Sequence, residues 1–216
     1  MSLLRRAVAD GLGTALLLAA VVGSGIMGER LAGGNDAIAL LANSLATGFA
    51  LFALIVAFRP TSGAHFNPVV TVVLAARRTI PRSDVAPYLA AQFIGALLGV
   101  VLAHAMFDLP LVQASAKARA SVGQWLSELV ATFGLVWVIL SCERERASWA
   151  PAAVATYIAA AYWFTASTSF ANPAVTLARG FTATFAGIDI AHVPAFVLAQ
   201  CIGAALALFA ERALTK

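Results

Sequence analysis

Two stretches, "HFNPVVTVVLAAR" at 65–77 and "SFANPAVTLARG" at 169–180, carry polar groups inside otherwise apolar sequence. Each writes Asn-Pro, a small apolar residue, then Val-Thr: Asn67-Pro68-Val69 and Asn172-Pro173-Ala174, their asparagines 105 positions apart. An asparagine carboxamide offers an acceptor and two donor hydrogens. Asparagine is a strong helix N-cap, and proline suits the first helical turn, where its missing N–H is no loss. Each phrase therefore reads as the start of a short helix of about ten residues, roughly 15 Å long. Two such N-termini brought together would concentrate positive dipole ends and amide donors at one point. That chemistry holds a passing neutral oxygen and repels a cation or proton. Covalent or metal chemistry has no comparable signal. Cys142 and Cys201 form no C-x-x-C pair, the three histidines are scattered, and no G-x-S-x-G or H-E-x-x-H occurs. No enzyme activity, metal or cofactor is expected.

The elements that must position these phrases are membrane helices. The chain is 61% hydrophobic and 11% charged, with a mean hydropathy of +0.88; soluble domains carry about 25% charged residues. Apolar runs cover 11–28, 37–58, 85–103, 121–142, 147–178 and 190–210. A span needs about 20 such residues, so five spans are plain and the run 147–178 holds a sixth plus a shorter piece. The first run follows Arg5-Arg6 but contains Asp10, Gly11 and Gly13 and lacks a small-x-small cleavage site. It reads as a retained helix rather than a signal peptide. With a cytoplasmic N-terminus, six spans put Arg5, Arg6, Arg59, Arg77, Arg78, Arg82, Arg144, Arg146, Arg212 and Lys216 inside. Arg30, Lys117, Arg119 and Arg179 are then outside. This bias predicts both termini in the cytoplasm. No basic–aromatic patch suggests nucleic acid, and lipid headgroups are the expected partners of the basic side chains.

The chain also repeats itself. "ADGLGTALLL" (9–18) matches "SELVATFGLV" (127–136), setting Asp10 opposite Glu128; "AQFIGALLG" (91–99) matches "AQCIGAALA" (199–207), setting Gln92 opposite Gln200. The Asn-Pro phrases fall between, in the same order. Three spans per half make the second half enter the membrane from the opposite side, an inverted-topology repeat. The expected fold is an all-α membrane protein of six transmembrane helices plus two re-entrant half-helices. It forms a single domain over 1–216, with repeats at about 5–108 and 121–214. The half-helices enter from opposite faces and meet near the midplane, where irregular backbone is tolerated only if protein or water covers it.

At these residues the sequence resembles the aquaporin and aquaglyceroporin family, the major intrinsic proteins, over essentially the whole chain. "SGAHFNPVVT" is similar to the family's first Asn-Pro-Ala loop and "NPAVT" to its second; Asp10, Glu128 and Gln92 match its buried acids and third-helix glutamine. The resemblance implies a homotetramer with one pore per subunit, energy-independent transport of small neutral solutes, and no cofactor. Two positions depart from the family pattern. The first triplet ends in Val69 rather than alanine. Val175 stands where most of the family places the arginine of its narrow constriction. Counting without gaps from the asparagines, the other constriction positions fall on Thr47, Ala160 and Ser169; one inserted residue in 161–168 would put a neighbour such as Ala161 in place of Ala160. Such a ring is wider and less charged than that of a water-selective member. Bacterial aquaglyceroporins lacking this arginine look similar, are associated with arsenic-resistance operons, and imply polyols, arsenous acid and methylated arsenicals as solutes. A bacterial inner-membrane location follows from the same likeness.

The remaining polar residues have narrower readings. Asp10 and Glu128, costly in a membrane, are expected to accept hydrogen bonds from the half-helix loops rather than relay protons. His65 falls at the cytoplasmic mouth. Arg179, one turn beyond Val175 on the same face, has two readings: a substitute cation at the outer mouth, or an anchor to headgroups or a loop carbonyl. The second has the greater weight. His104 and His192 read as interfacial. Tyr157, Tyr162, Trp163 and Phe164 read as interface belt and packing. The competing functions are a water-selective pore and a secondary transporter, which also uses inverted repeats and broken helices.

Overall fold

The computed structural model describes residues 1–215. Lys216, counted above among the cytoplasmic basic residues, lies outside them. Six long helices, α1 (Leu3–Leu31), α2 (Asp36–Ser62), α4 (Val85–Met106), α5 (Val122–Glu145), α6 (Ala150–Phe164) and α8 (Val193–Leu214), alternate with two short ones, α3 (Pro68–Ala76) and α7 (Pro173–Ala178). Five of the long helices are long and apolar enough to cross a membrane. The sixth, α6, has 15 residues, about 22 Å of rise, and is preceded by a 3₁₀ turn at Ala147–Trp149.

Local sequence fixes the helix ends. Asn35 caps α2 by accepting from the Ala37 and Ile38 amides, and Gly63 closes it at φ +88°, a left-handed turn that glycine adopts without steric cost. Ser121 and Gln124 form a reciprocal capping box on α5, satisfying amides that would otherwise have no partner. α1 packs against α2 and α4, and α5 against α6 and α8; α2 meets α6 between the two groups, and both short helices touch α4 and α8.

Polar groups are kept inside beside an apolar core, and much of the outer surface is apolar. Asp10, Thr14, Gln92, Glu128, Thr132 and Gln200 are fully buried, whereas Phe49, Ile94, Leu98, Leu198 and Phe209 are exposed. A lipid solvent rewards that arrangement, since it leaves backbone and polar groups to be satisfied within the protein. The close crossings use glycine. A methyl group on Gly95 of α4 would overlap the Gly11 carbonyl of α1, and one on Gly203 of α8 would overlap the Leu129 carbonyl of α5. On the face shared by both termini, Arg6 pairs with Asp84 at 2.7 Å and Arg77 with Glu211 at 3.1 Å.

Candidate functional site

Both Asn-Pro phrases start helices, and both asparagines use the oxygen and the nitrogen of the carboxamide. Asn67 Oδ1 accepts from the Val69 amide at 3.1 Å; Asn172 Oδ1 accepts from Ala174 and Val175 at 3.0 and 3.2 Å. With the oxygens spent on capping, the nitrogens reach across the molecule. Asn67 Nδ2 donates to the Ala171 carbonyl and Asn172 Nδ2 to the Phe66 carbonyl, each at 2.7 Å. Each nitrogen carries a second hydrogen, and both side chains line the same central cavity. The cross-pairing was not expected from sequence, which identifies a cap but not what lies opposite it.

Behind each loop lies a buried carboxylate. Asp10 accepts from Ser62 Oγ and the His65 amide on one oxygen, and from the Phe66 amide and Gln92 Nε2 on the other, at 2.7–3.0 Å. Glu128 accepts from the Phe170 and Ala171 amides at 2.8 Å and from Gln200 Nε2 at 2.6 Å. The same glutamine nitrogens also donate to Thr71 and Thr176 at 2.9 and 2.8 Å. These bonds hold backbone that is costly on its own: Phe66, Ser169 and Ala171 sit at φ +51°, +50° and +48°, left-handed geometry that L residues adopt at a penalty.

The cavity offers about 100 Å³ to water-sized molecules and runs past both asparagines. Toward the terminal face it is lined by His65, Arg59 and Glu143. His65 Nδ1 lies 3.1 Å from Thr71 Oγ1 and its ring packs on Tyr88, while Arg59 donates to Glu143 at 2.7 Å and to the Ala147 carbonyl. Pro68, Val69, Pro173 and Ala174 are buried in the first turns of α3 and α7.

Toward the far face the lining includes Thr47, Tyr162, Ser169, Val175 and Arg179. Three of the four expected constriction residues are therefore on the cavity wall, and Ala160 is not. Ala160 is exposed on the opposite side of α6, because that helix turns Val154, Ile158 and Tyr162 inward at a spacing of four. The inward-facing residue nearest the counted position on the far-face side is Tyr162, two residues on. Tyr162, expected in the interface belt, instead occupies the wall, its hydroxyl 3.2 Å from Thr47 Oγ1. Trp163 is half-exposed and donates to Ser44 Oγ at 2.9 Å.

Arg179 does not reach out to headgroups but binds a loop carbonyl, the other form of the anchor expected from sequence, while its side chain also lines the cavity. It is 2% exposed, its Nε donates to the Ala186 carbonyl, and its guanidinium carbon lies 3.4 Å from the centre of the Phe170 ring. Sequence could not tell whether the side chain turns out or in, because an arginine at a helix end looks the same either way. Arg119, in the segment joining α4 to α5, is also buried. It donates to the Gly187 and Ser167 carbonyls at 3.0 and 2.9 Å and lies over Phe170. Burial lowers its pKa to about 10, against the raising effect of the Glu128 charge, so it stays cationic at neutral pH. His104, expected at an interface, is fully buried; its Nε2 lies 2.7 Å from Thr182 Oγ1 and its Nδ1 3.0 Å from the Leu111 carbonyl. Half-buried His192 accepts from the Arg119 amide at 3.2 Å.

Six long helices around a cavity, with two half-helices capped into it by asparagine, define a multi-pass membrane channel. The chain belongs to the major intrinsic protein family, whose model matches residues 1–169. It is 55% identical over 206 residues to aquaglyceroporin AqpS of Rhizobium meliloti, covering 95% of this chain and 88% of that one. It is 29% identical to aquaporin AqpM of Methanothermobacter marburgensis, covering 100% and 99%. Its fold is similar to that of the aquaglyceroporin from Plasmodium falciparum, with a TM-score of 0.82 at 20% identity over 99% of this chain and 97% of the other.

Proposed function

We propose that the chain is a passive, bidirectional pore for water and small uncharged hydroxylic solutes, glycerol-like polyols and arsenous acid among them, and that it excludes ions and protons. Methylated arsenicals of similar size fall in the same class. The observation that carries this reading is the wall around Val175, where hydroxyls from Thr47, Tyr162 and Ser169 stand with an apolar valine at position 175 itself. The paired asparagines supply donors at the midplane, and the facing half-helix ends disfavour a cation there. The carboxylate on the cavity wall, Glu143, is paired with Arg59. Arsenous acid fits because it is neutral at physiological pH and presents hydroxyls much as a polyol does. We further assign the chain to a homotetramer in a bacterial inner membrane; the even number of spans and the basic-residue bias support both termini in the cytoplasm.

A second reading, a water-selective pore, draws on Tyr162, whose ring makes the wall bulkier than the alanine expected from the count. Proteoliposomes decide between them. Val175→Arg is expected to suppress glycerol flux while sparing water flux; an unchanged glycerol-to-water ratio would show that position 175 does not set the narrowest point.

A further inference from the structure

At the terminal face the cavity wall carries two long charged side chains, Arg59 from the last turn of α2 and Glu143 from the last turn of α5. These two helices each pack on α6 and share no comparable packing with one another. The Arg59 guanidinium joins them at the mouth. One terminal nitrogen donates to Glu143 Oε1 at 2.7 Å and the other to the carbonyl of Ala147, in the 3₁₀ turn that leads into α6. A planar fork suits two acceptors held side by side. Arg59 belongs to the first repeat and both acceptors to the second, so one side chain bridges the two halves of the molecule. The bridge is weak. The two side chains keep 25% and 37% of their surface exposed, and an ion pair that wet gains little from pairing. The wall beside it is fixed: His65 is buried, bonded to Thr71 and packed on Tyr88, and Gly63 has no side chain to strike its Nε2. Arg59, on a long unbranched stem, is the movable piece.

We propose that Arg59 is a movable arm at the terminal-face mouth, caught by Glu143 and the Ala147 carbonyl, and that it sets how readily solutes larger than water pass that end of the pore. The proposal rests on the channel reading above. With the arm caught, the guanidinium stands over the gap between α2 and α5, and a polyol passes only when the pair parts. Water needs less width and passes either way. With the arm released, the guanidinium turns out to bulk water and the mouth is bounded by Ala64, His65 and Ile139. The caught pair carries no net charge, so this station selects by size, while charge is rejected deeper in, at the facing half-helix ends. Because the Ala147 carbonyl moves with its turn, the catch also couples passage to the position of the connection between α5 and α6.

The test uses full-length protein in liposomes, reading water and glycerol permeability on the same preparations at constant osmolarity. In Arg59→Ala the glycerol-to-water ratio is expected to rise about two- to fivefold, the population shift that one partly exposed ion pair can hold back. Arg59→Lys should fall between, since an ammonium pairs with Glu143 but cannot hold both acceptors in one plane. Salt supplies a readout that needs no variant. Going from about 0.01 M to about 1 M shortens the screening length from about 30 Å to about 3 Å, so the wild-type ratio should climb toward that of Arg59→Ala, while the ratios of Arg59→Ala and Glu143→Gln stay flat. A wild-type ratio in Arg59→Ala overturns the arm. A wild-type ratio that ignores salt overturns the ion-pair catch, and decides the case if the variants do not assemble. A wild-type protein passing neither water nor glycerol overturns the channel reading and this proposal with it.

Discussion

Asp10 and Glu128 show how a single buried carboxylate can set backbone geometry. Each accepts from two consecutive loop amides and from a glutamine, His65, Phe66 and Gln92 in one case and Phe170, Ala171 and Gln200 in the other. Asp10→Ala would leave the His65 and Phe66 amides buried without acceptors beside a residue at positive φ. The expected cost is about 3–5 kcal/mol, the range for breaking a buried charged network. Thermal unfolding in detergent measures it, and an unshifted transition would contradict the role. The carboxylates, asparagines and glutamines were legible in the sequence because each is an isolated polar residue in an apolar run, matched by a partner in the other half. Tyr162 was not. The register of α6 relative to Asn172 depends on how the chain crosses residues 165–172, and neither a motif nor a repeat pins that length.

At the scale of elements, the two half-helices are unequal. α3 runs nine residues and α7 six, where about ten were expected of each. α7 does not simply stop: it tightens into a 3₁₀ turn at Arg179–Phe181, a common helix ending, and Arg179 begins that turn. Sequence predicts where a helix starts far better than where it tightens, because the cap is written in residue type and the ending is decided by packing. Long-helix packing was more readable. Gly95 and Gly203 occupy matching places in the repeats, and both mark crossings where a methyl group would strike a carbonyl of the neighbouring helix. Gly95→Leu is accordingly expected to force α1 and α4 apart. Overpacking costs about 1–3 kcal/mol or more, and this collision is with backbone, so loss of monodisperse protein on size exclusion is the expected result. A variant that elutes and melts like the parent would mean that the α1–α4 contact is looser than described.

For the whole molecule, the balance of forces is that of a protein dissolved in lipid. Apolar side chains such as Phe49 and Phe209 face outward while charged and amide groups pack within, and the same supporting bonds occur twice around one cavity. Composition and six apolar runs were enough to read that architecture, since few other folds use so much apolar sequence with two internal helix starts. The solute class lay beyond that reach, because it depends on a ring of four or five side chains drawn from α2, α6, α7 and the loop before α7. The most direct test of the channel account is a stopped-flow solute panel on proteoliposomes of the intact chain, with an internal pH dye. The account predicts water, glycerol and arsenous acid fluxes that rise linearly with gradient, need no counter-solute and carry no proton leak. Water flux without the other solutes would contradict the permissive pore, and saturating, counter-flow-dependent flux would contradict a channel altogether.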